Sequence, residues 1–181
     1  MSIMIIGVTG IFGSGKTTVA KMMAKRLRCA RIDADKLAWQ AFKHNRKTIK
    51  RLFRTTSRKK LGEIVFDDRK KLLRLQEIIH PYVLSRMEEE AKRRKNAVLD
   101  VPLLVETDAH KFADLVLVVK CSERVRIKRL AAKGFSRHEI RQRTRYQMPI
   151  KRKLRYADYV VDNSRSLNET KKKVEMVLKH V

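Results

Sequence analysis

At 181 residues the chain has room for one principal domain plus an inserted subdomain or lid, and 45 Lys and Arg against 19 Asp and Glu give it a formal net charge of +26. A field that strong calls for anionic partners, whether phosphorylated small molecules, nucleic acid or an anionic surface. Cys29 and Cys121 lack metal-ligand spacing and read as free thiols of a reducing cytoplasm, and the N-terminal apolar run is too short for a membrane span, so a soluble cytoplasmic protein is expected.

Residues 3–8 form an apolar run suited to a buried parallel strand, and residues 19–27 repeat apolar side chains at helical spacing. Between them lies GIFGSGKTT, with Gly10, Gly15, Lys16 and Thr17 at the fixed places of a phosphate-binding loop. Glycines there let backbone N–H groups approach phosphate oxygens, and the following helix adds its positive end. Lys16 is expected to reach the β- and γ-phosphates of ATP, and the Thr17 hydroxyl to ligate a Mg2+ that keeps most of its waters. The plain alternative is a glycine turn without a ligand.

Residues 30–35 read as a second strand ending in Asp33 and Asp35, which falls beside the phosphate loop if the sheet is open and parallel. Asp33 is the candidate to orient or deprotonate an acceptor hydroxyl, with helix capping as its alternative; Asp35 is the better candidate cap. Residues 36–95 look helical throughout, broken at Thr55-Thr56-Ser57 and again at Pro81. Sixty helical residues between strands exceed a crossover and predict a subdomain inserted beside the nucleotide site. There, His80, Trp39, Phe42 and Phe53 each admit a structural reading.

Strand character returns at residues 96–101, closed by Asp100, which would hold Mg2+ through water or serve structurally at the strand end. A buried strand follows at residues 114–119. Residues 122–155 then carry thirteen Lys or Arg against Glu123 and Glu139 alone. Two helices at 123–133 and 137–147, joined at Gly134, the second capped by Ser136, predict a basic lid. Arg129, Arg137, Arg141, Arg143 and Arg145 cannot all pair with two glutamates, so several face solvent or incoming phosphates. A last strand at 157–161, a turn at Asp162-Asn163 and an amphipathic helix at 166–180 complete the pattern. Five apolar strands separated by helices predict a parallel sheet covered on both faces, a three-layer α/β/α fold.

Taken together, VTGIFGSGKTTVA, IDAD, SRKKLGEIVFDD, IIHP, VLDVPLLVE, the arginine-rich lid and ADYVVDN resemble the dephospho-coenzyme A kinase family across nearly the whole chain. The resemblance implies P-loop kinase architecture with a core at 1–35, 96–121 and 156–181, a substrate insert at 36–95 and a lid at 122–155. It implies transfer of the ATP γ-phosphate to the ribose 3'-hydroxyl of dephospho-coenzyme A, with Mg2+. By the same resemblance Gly13, Ser14, Gly15, Lys16, Thr17 and Thr18 surround the ATP phosphates, Asp33 is the general base, and Arg143 lies near the transferred phosphate. Arg58, His80 and Pro81 fall on the substrate side, and Asn163 lies in the turn bordering adenine. The chain departs from the family pattern at Ile11 and Phe12, where a second glycine is usual; in a shortened insert between Trp39 and Ser57; at Ser57 itself; and at Lys133 in place of a lid arginine.

Two other functions compete: a nucleoside or nucleoside-monophosphate kinase, and a nucleic-acid-binding P-loop NTPase suggested by charge. With 6% aromatic residues and no basic stripe interleaved with them, specific nucleic-acid recognition is not expected, nor is a membrane partner. The expected partners are the small molecules ATP and dephospho-coenzyme A.

Overall fold

A computed structural model describes residues 4–94 and 96–181. Ile3, the first residue of the expected N-terminal strand, and Lys95, the last of the expected insert, lie outside the described residues. The chain divides into two compact units, Met1–Asp33 with Glu90–Val181, and Ala34–Glu89.

The first unit is built on five parallel strands, β1 (Met4–Thr9), β2 (Ala30–Asp33), β3 (Asn96–Asp100), β4 (Leu115–Lys120) and β5 (Tyr159–Asp162), in the order β2-β3-β1-β4-β5. The centre of β1, β3 and β4 is buried on both faces, which is why these strands read as unbroken apolar runs. Ile6, Val8, Val98, Leu117, Val119 and Val161 pack with Val19, Ala20 and Met23 of α1 (Lys16–Arg26) and with Val174 and Val177 of α9 (Leu167–Leu178). Register is pinned at the strand starts by two similar devices. Asp114 accepts the Ile5 N–H at 2.7 Å, and Asp158 accepts that of Val116 at 2.7 Å. In both cases an Ala-Asp pair precedes the strand, so part of the ADYVVDN string serves sheet register.

Four helices are seen in or entering the second unit: α2 (Ala34–His44), α3 (Arg46–Phe53), α4 (Arg58–Asp67) and α5 (Arg69–Lys92). They bury Leu37, Phe42, Ile49, Phe53, Leu61, Val65 and Met87. Trp39 stacks on Phe42 with ring centroids 5.1 Å apart, and the Arg58 and Lys43 cations lie 5.5 and 5.4 Å from its centroid. Ser57 caps α4 by accepting the Lys60 N–H, so the residue that departs from the family pattern starts a helix.

Several expectations need correction. Pro81 does not interrupt the helical pattern, because α5 runs through it from Arg69 to Lys92. The missing N–H removes one helical bond, and the remaining turns carry the helix across. The breaks that do occur, besides 54–57, are at Asn45 and Asp68. Asp68 accepts the N–H groups of Lys70 and Lys71 and so starts α5. The second strand stops at Asp33, since α2 begins at Ala34; Asp35 therefore lies in the first turn, where its charge still suits the helix dipole, rather than at the cap. The basic hairpin is shorter than expected, α6 (Glu123–Ala131) and α7 (Arg137–Arg145), and is followed by a one-turn α8 (Ile150–Lys153).

Candidate active site

The phosphate loop leaves the carboxyl end of β1 and enters α1 at Lys16. Two of its glycines, Gly13 and Gly15, have φ of +83° and +87°, values that side chains with a Cβ rarely adopt. Thr18 and Val19 donate to the Gly15 carbonyl at 3.0 and 3.2 Å, so the loop passes directly into helix. The polar side of the turn is held by Asn163, which is 4% exposed. Its Nδ2 donates to the Ser14 carbonyl at 2.8 Å, and its Oδ1 accepts from Thr170 Oγ1 at 2.8 Å. Asn163 thus connects α9 to the peptide that precedes Gly15.

Lys16 starts α1 with its ammonium turned to the end of β3, where Nζ donates to Asp100 Oδ1 at 2.8 Å and more distantly to Thr17 Oγ1 at 3.5 Å. Asp100 is 1% exposed, and removing one partner of so buried a pair costs about 3–5 kcal/mol. Its second oxygen accepts from Arg31 NH1 at 2.6 Å, and the same nitrogen donates to Asp33 Oδ2 at 2.8 Å. Asp33 and Asp100 are register partners at the carboxyl ends of the adjoining strands β2 and β3. Lys16, Asp100, Arg31 and Asp33 therefore form one continuous network. Burial of Arg31 works against its charge, but the two carboxylates outweigh it and hold its pKa above the ordinary value.

Phe12, at the tip of the loop, is joined to the basic hairpin at three points. Its N–H donates to Gln147 Oε1 at 2.7 Å, its carbonyl accepts from Arg126 NH1 at 3.2 Å, and its ring meets Phe135 edge-on at 5.2 Å. The Arg143 guanidinium lies 5.3 Å from the Phe12 centroid and 5.1 Å from that of Phe135. Arg129 donates to the carbonyls of Asn163 and Arg165, while Arg137 and Arg141 are exposed. Further along, Lys153 is fully buried and donates to Glu106 at 2.6 Å and to the Pro102 carbonyl at 2.8 Å. Burial pushes its pKa down, and Glu106 only partly offsets this. Glu106 also accepts the Met148 N–H at 2.8 Å, so the PLLVE string ties to the segment after α7.

The structure thus gathers Gly13, Ser14, Gly15, Lys16, Thr17, Thr18, Asp33, Asp100, Arg143 and Asn163 within the first unit. Arg58, His80 and Pro81 belong to the second: Arg58 begins α4 against Trp39, and His80 lies mid-α5, where burial lowers its pKa. Arg31 went unnoticed in the sequence. Its signal was the period of two, which sets it on the same face of β2 as Asp33. Phe12 and Gln147 were visible as residues, but nothing local announces that they touch.

Among the described residues no helix is long and apolar enough to cross a membrane, and no group of three or more His, Cys, Asp and Glu could hold a metal ion. A family model for dephospho-CoA kinase matches residues 4–169. A dephospho-CoA kinase of Carboxydothermus hydrogenoformans is 37% identical over 96% of this chain and 92% of its own length. One of Aquifex aeolicus is 36% identical over 95% and 94%. The crystal structure of TT1252 from Thermus thermophilus superimposes with a TM-score of 0.83 at 32% identity, covering 100% of this chain and 99% of that one.

Proposed function

This chain belongs to the dephospho-CoA kinase family, and from that premise we propose that it transfers the γ-phosphate of ATP to the ribose 3'-hydroxyl of dephospho-coenzyme A, giving ADP and coenzyme A. The observation that carries the reading is the network in which the phosphate-loop lysine and the carboxylate of Asp33 are joined by three successive cation–anion contacts.

Phosphoryl transfer needs positioning and charge neutralisation, with one group to receive the acceptor proton. The backbone of Gly13 to Thr18 surrounds the phosphates, with N–H donors from Gly13, Gly15, Lys16 and Thr17 and the N-terminus of α1, and Lys16 supplies the charge. Asp33 accepts the proton of the attacking hydroxyl as the O–P bond forms and the bond to ADP breaks. Arg143 neutralises the phosphoryl group in flight. Arg58, His80 and Pro81 contact the acceptor. Asn163 serves the adenine side chiefly by holding the Ser14 peptide, since both ends of its amide are engaged.

The donor set fits a Mg2+ that arrives with the nucleotide: one hydroxyl, Thr17, and one buried carboxylate, Asp100, suit an ion that keeps phosphate and water ligands rather than a cage of side chains. When bound, it would offset the charge building on the phosphates. Thr17 and Asp100 are the residues that would hold it, Asp100 through water.

The test is turnover of ATP and dephospho-coenzyme A, with nucleosides and nucleoside monophosphates as competing acceptors. Asp33→Asn is expected to lower kcat by about 10²–10⁴ with ATP binding retained. Absence of coenzyme A from the wild-type reaction sinks the substrate assignment, and undiminished kcat in the variant removes Asp33 from the base role.

A further inference from the structure

One cation of the network has no part in the scheme above. Arg31 uses a single nitrogen, NH1, for both Asp33 at 2.8 Å and Asp100 at 2.6 Å, and Lys16 takes the other Asp100 oxygen at 2.8 Å. The side chains are little exposed, 16% for Arg31 and Asp33, 10% for Lys16 and 1% for Asp100. Two positive and two negative charges therefore run in alternation from the phosphate loop to the candidate base, shielded from water.

Lys16 faces two competing demands. It pairs with Asp100, and a triphosphate in the loop draws the same ammonium away. A buried carboxylate stripped of its partners is strongly unfavourable, so without a metal ion the exchange is feasible only if another cation stays with Asp100. Arg31 is the cation in place to do so, because its contact is with the oxygen that Lys16 does not use.

We propose that Arg31 is a positioning residue that makes this exchange possible: it keeps Asp100 compensated while Lys16 moves to the ATP phosphates, and with the same nitrogen it holds the Asp33 carboxylate at the end of β2. Without Arg31, Asp100 retains Lys16 and the loop loses its lysine. The inference rests on the kinase reading, since a nucleoside triphosphate drives the exchange.

The experiment is a double-mutant cycle on binding of a non-hydrolysable ATP analogue, by calorimetry in EDTA so that no metal contributes and without acceptor. Arg31→Gln is expected to weaken binding by at least about fivefold. The same substitution on an Asp100→Asn background changes binding by less than about twofold, because no carboxylate remains to hold Lys16. Arg31→Lys keeps a charge and a donating nitrogen at the same place on β2 and retains most of the binding. Arg31→Met replaces Arg31→Gln in the cycle if thermal melts show that the glutamine variant does not fold. Equal affinity of wild type and Arg31→Gln, or equal losses on the two backgrounds, overturns the proposal while leaving the kinase reading intact. Wild-type protein that binds the analogue with Mg2+ but not in EDTA overturns the proposal alone, and wild-type protein that binds it under neither condition overturns both.

Discussion

A Cβ on Gly15 would lie 1.9 Å from Asn163 Nδ2, and the residue's φ of +87° already disfavours any side chain. The loop and the Asn163 amide are thus fitted to each other so closely that either one constrains the other. Asn163→Ala is expected to cost about 1–3 kcal/mol, since it leaves the Ser14 carbonyl without its donor in a buried place. It should also raise the KM for ATP with a smaller change in kcat. Urea denaturation and steady-state kinetics check this, and a variant with wild-type stability and KM would show that the amide does not hold the loop. Thr170→Val, which removes only the donor to Asn163 Oδ1, should have the same effect to a lesser degree. The ADYVVDN string points to this turn in the sequence, but the bond that matters spans 149 residues, a separation no local pattern encodes.

Two helix starts are legible in the sequence. Ser136 and Ser166 each carry a glutamate three residues on, and both form complete capping boxes, with the serine accepting an N–H and the glutamate returning a bond to the serine backbone. Both glutamates titrate below the ordinary 4.5, chiefly because the cap serine's backbone N–H donates to them. With a folded pKa below the unfolded one, the stabilisation is complete above pH 4.5 and is lost as pH falls through the folded values. Replacing both by glutamine, E139Q with E169Q, should flatten that part of the acid limb. The urea midpoint followed from about pH 6 to about pH 3 measures it; an acid limb as steep as that of wild type would exclude the caps as its source. Other breaks were harder to read. Asp68 starts α5 from within a charged run, and Asn45 separates α2 from α3 amid residues that all favour helix. Pro81 gave the opposite error, because a lone proline weakens a helix without ending one that has ample flanking turns.

At the scale of the molecule, apolar runs revealed that five strands exist and that the sheet is parallel, yet the order β2-β3-β1-β4-β5 came only from the structure. Periodicity reports what each strand buries, not which strand lies beside it. The register of Asp33 against Asp100, and with it the place of Arg31, depends on that order. Net charge is the other global property. A chain of +26 attracts ATP through its summed field as well as through particular contacts, so raising ionic strength from about 0.05 M to about 0.3 M should raise the KM for ATP while leaving kcat nearly constant. A KM independent of salt would confine the attraction to the short-range contacts of the loop. The stack of Trp39 with Arg58 carries a different consequence. Trp39 is the chain's only tryptophan, so the near-ultraviolet emission of the entire protein is governed by one indole with two cations on its ring. If Arg58 serves the acceptor, an anionic group that draws the guanidinium from that ring will change the emission, and the protein becomes its own unlabelled gauge of acceptor occupancy, readable apart from turnover.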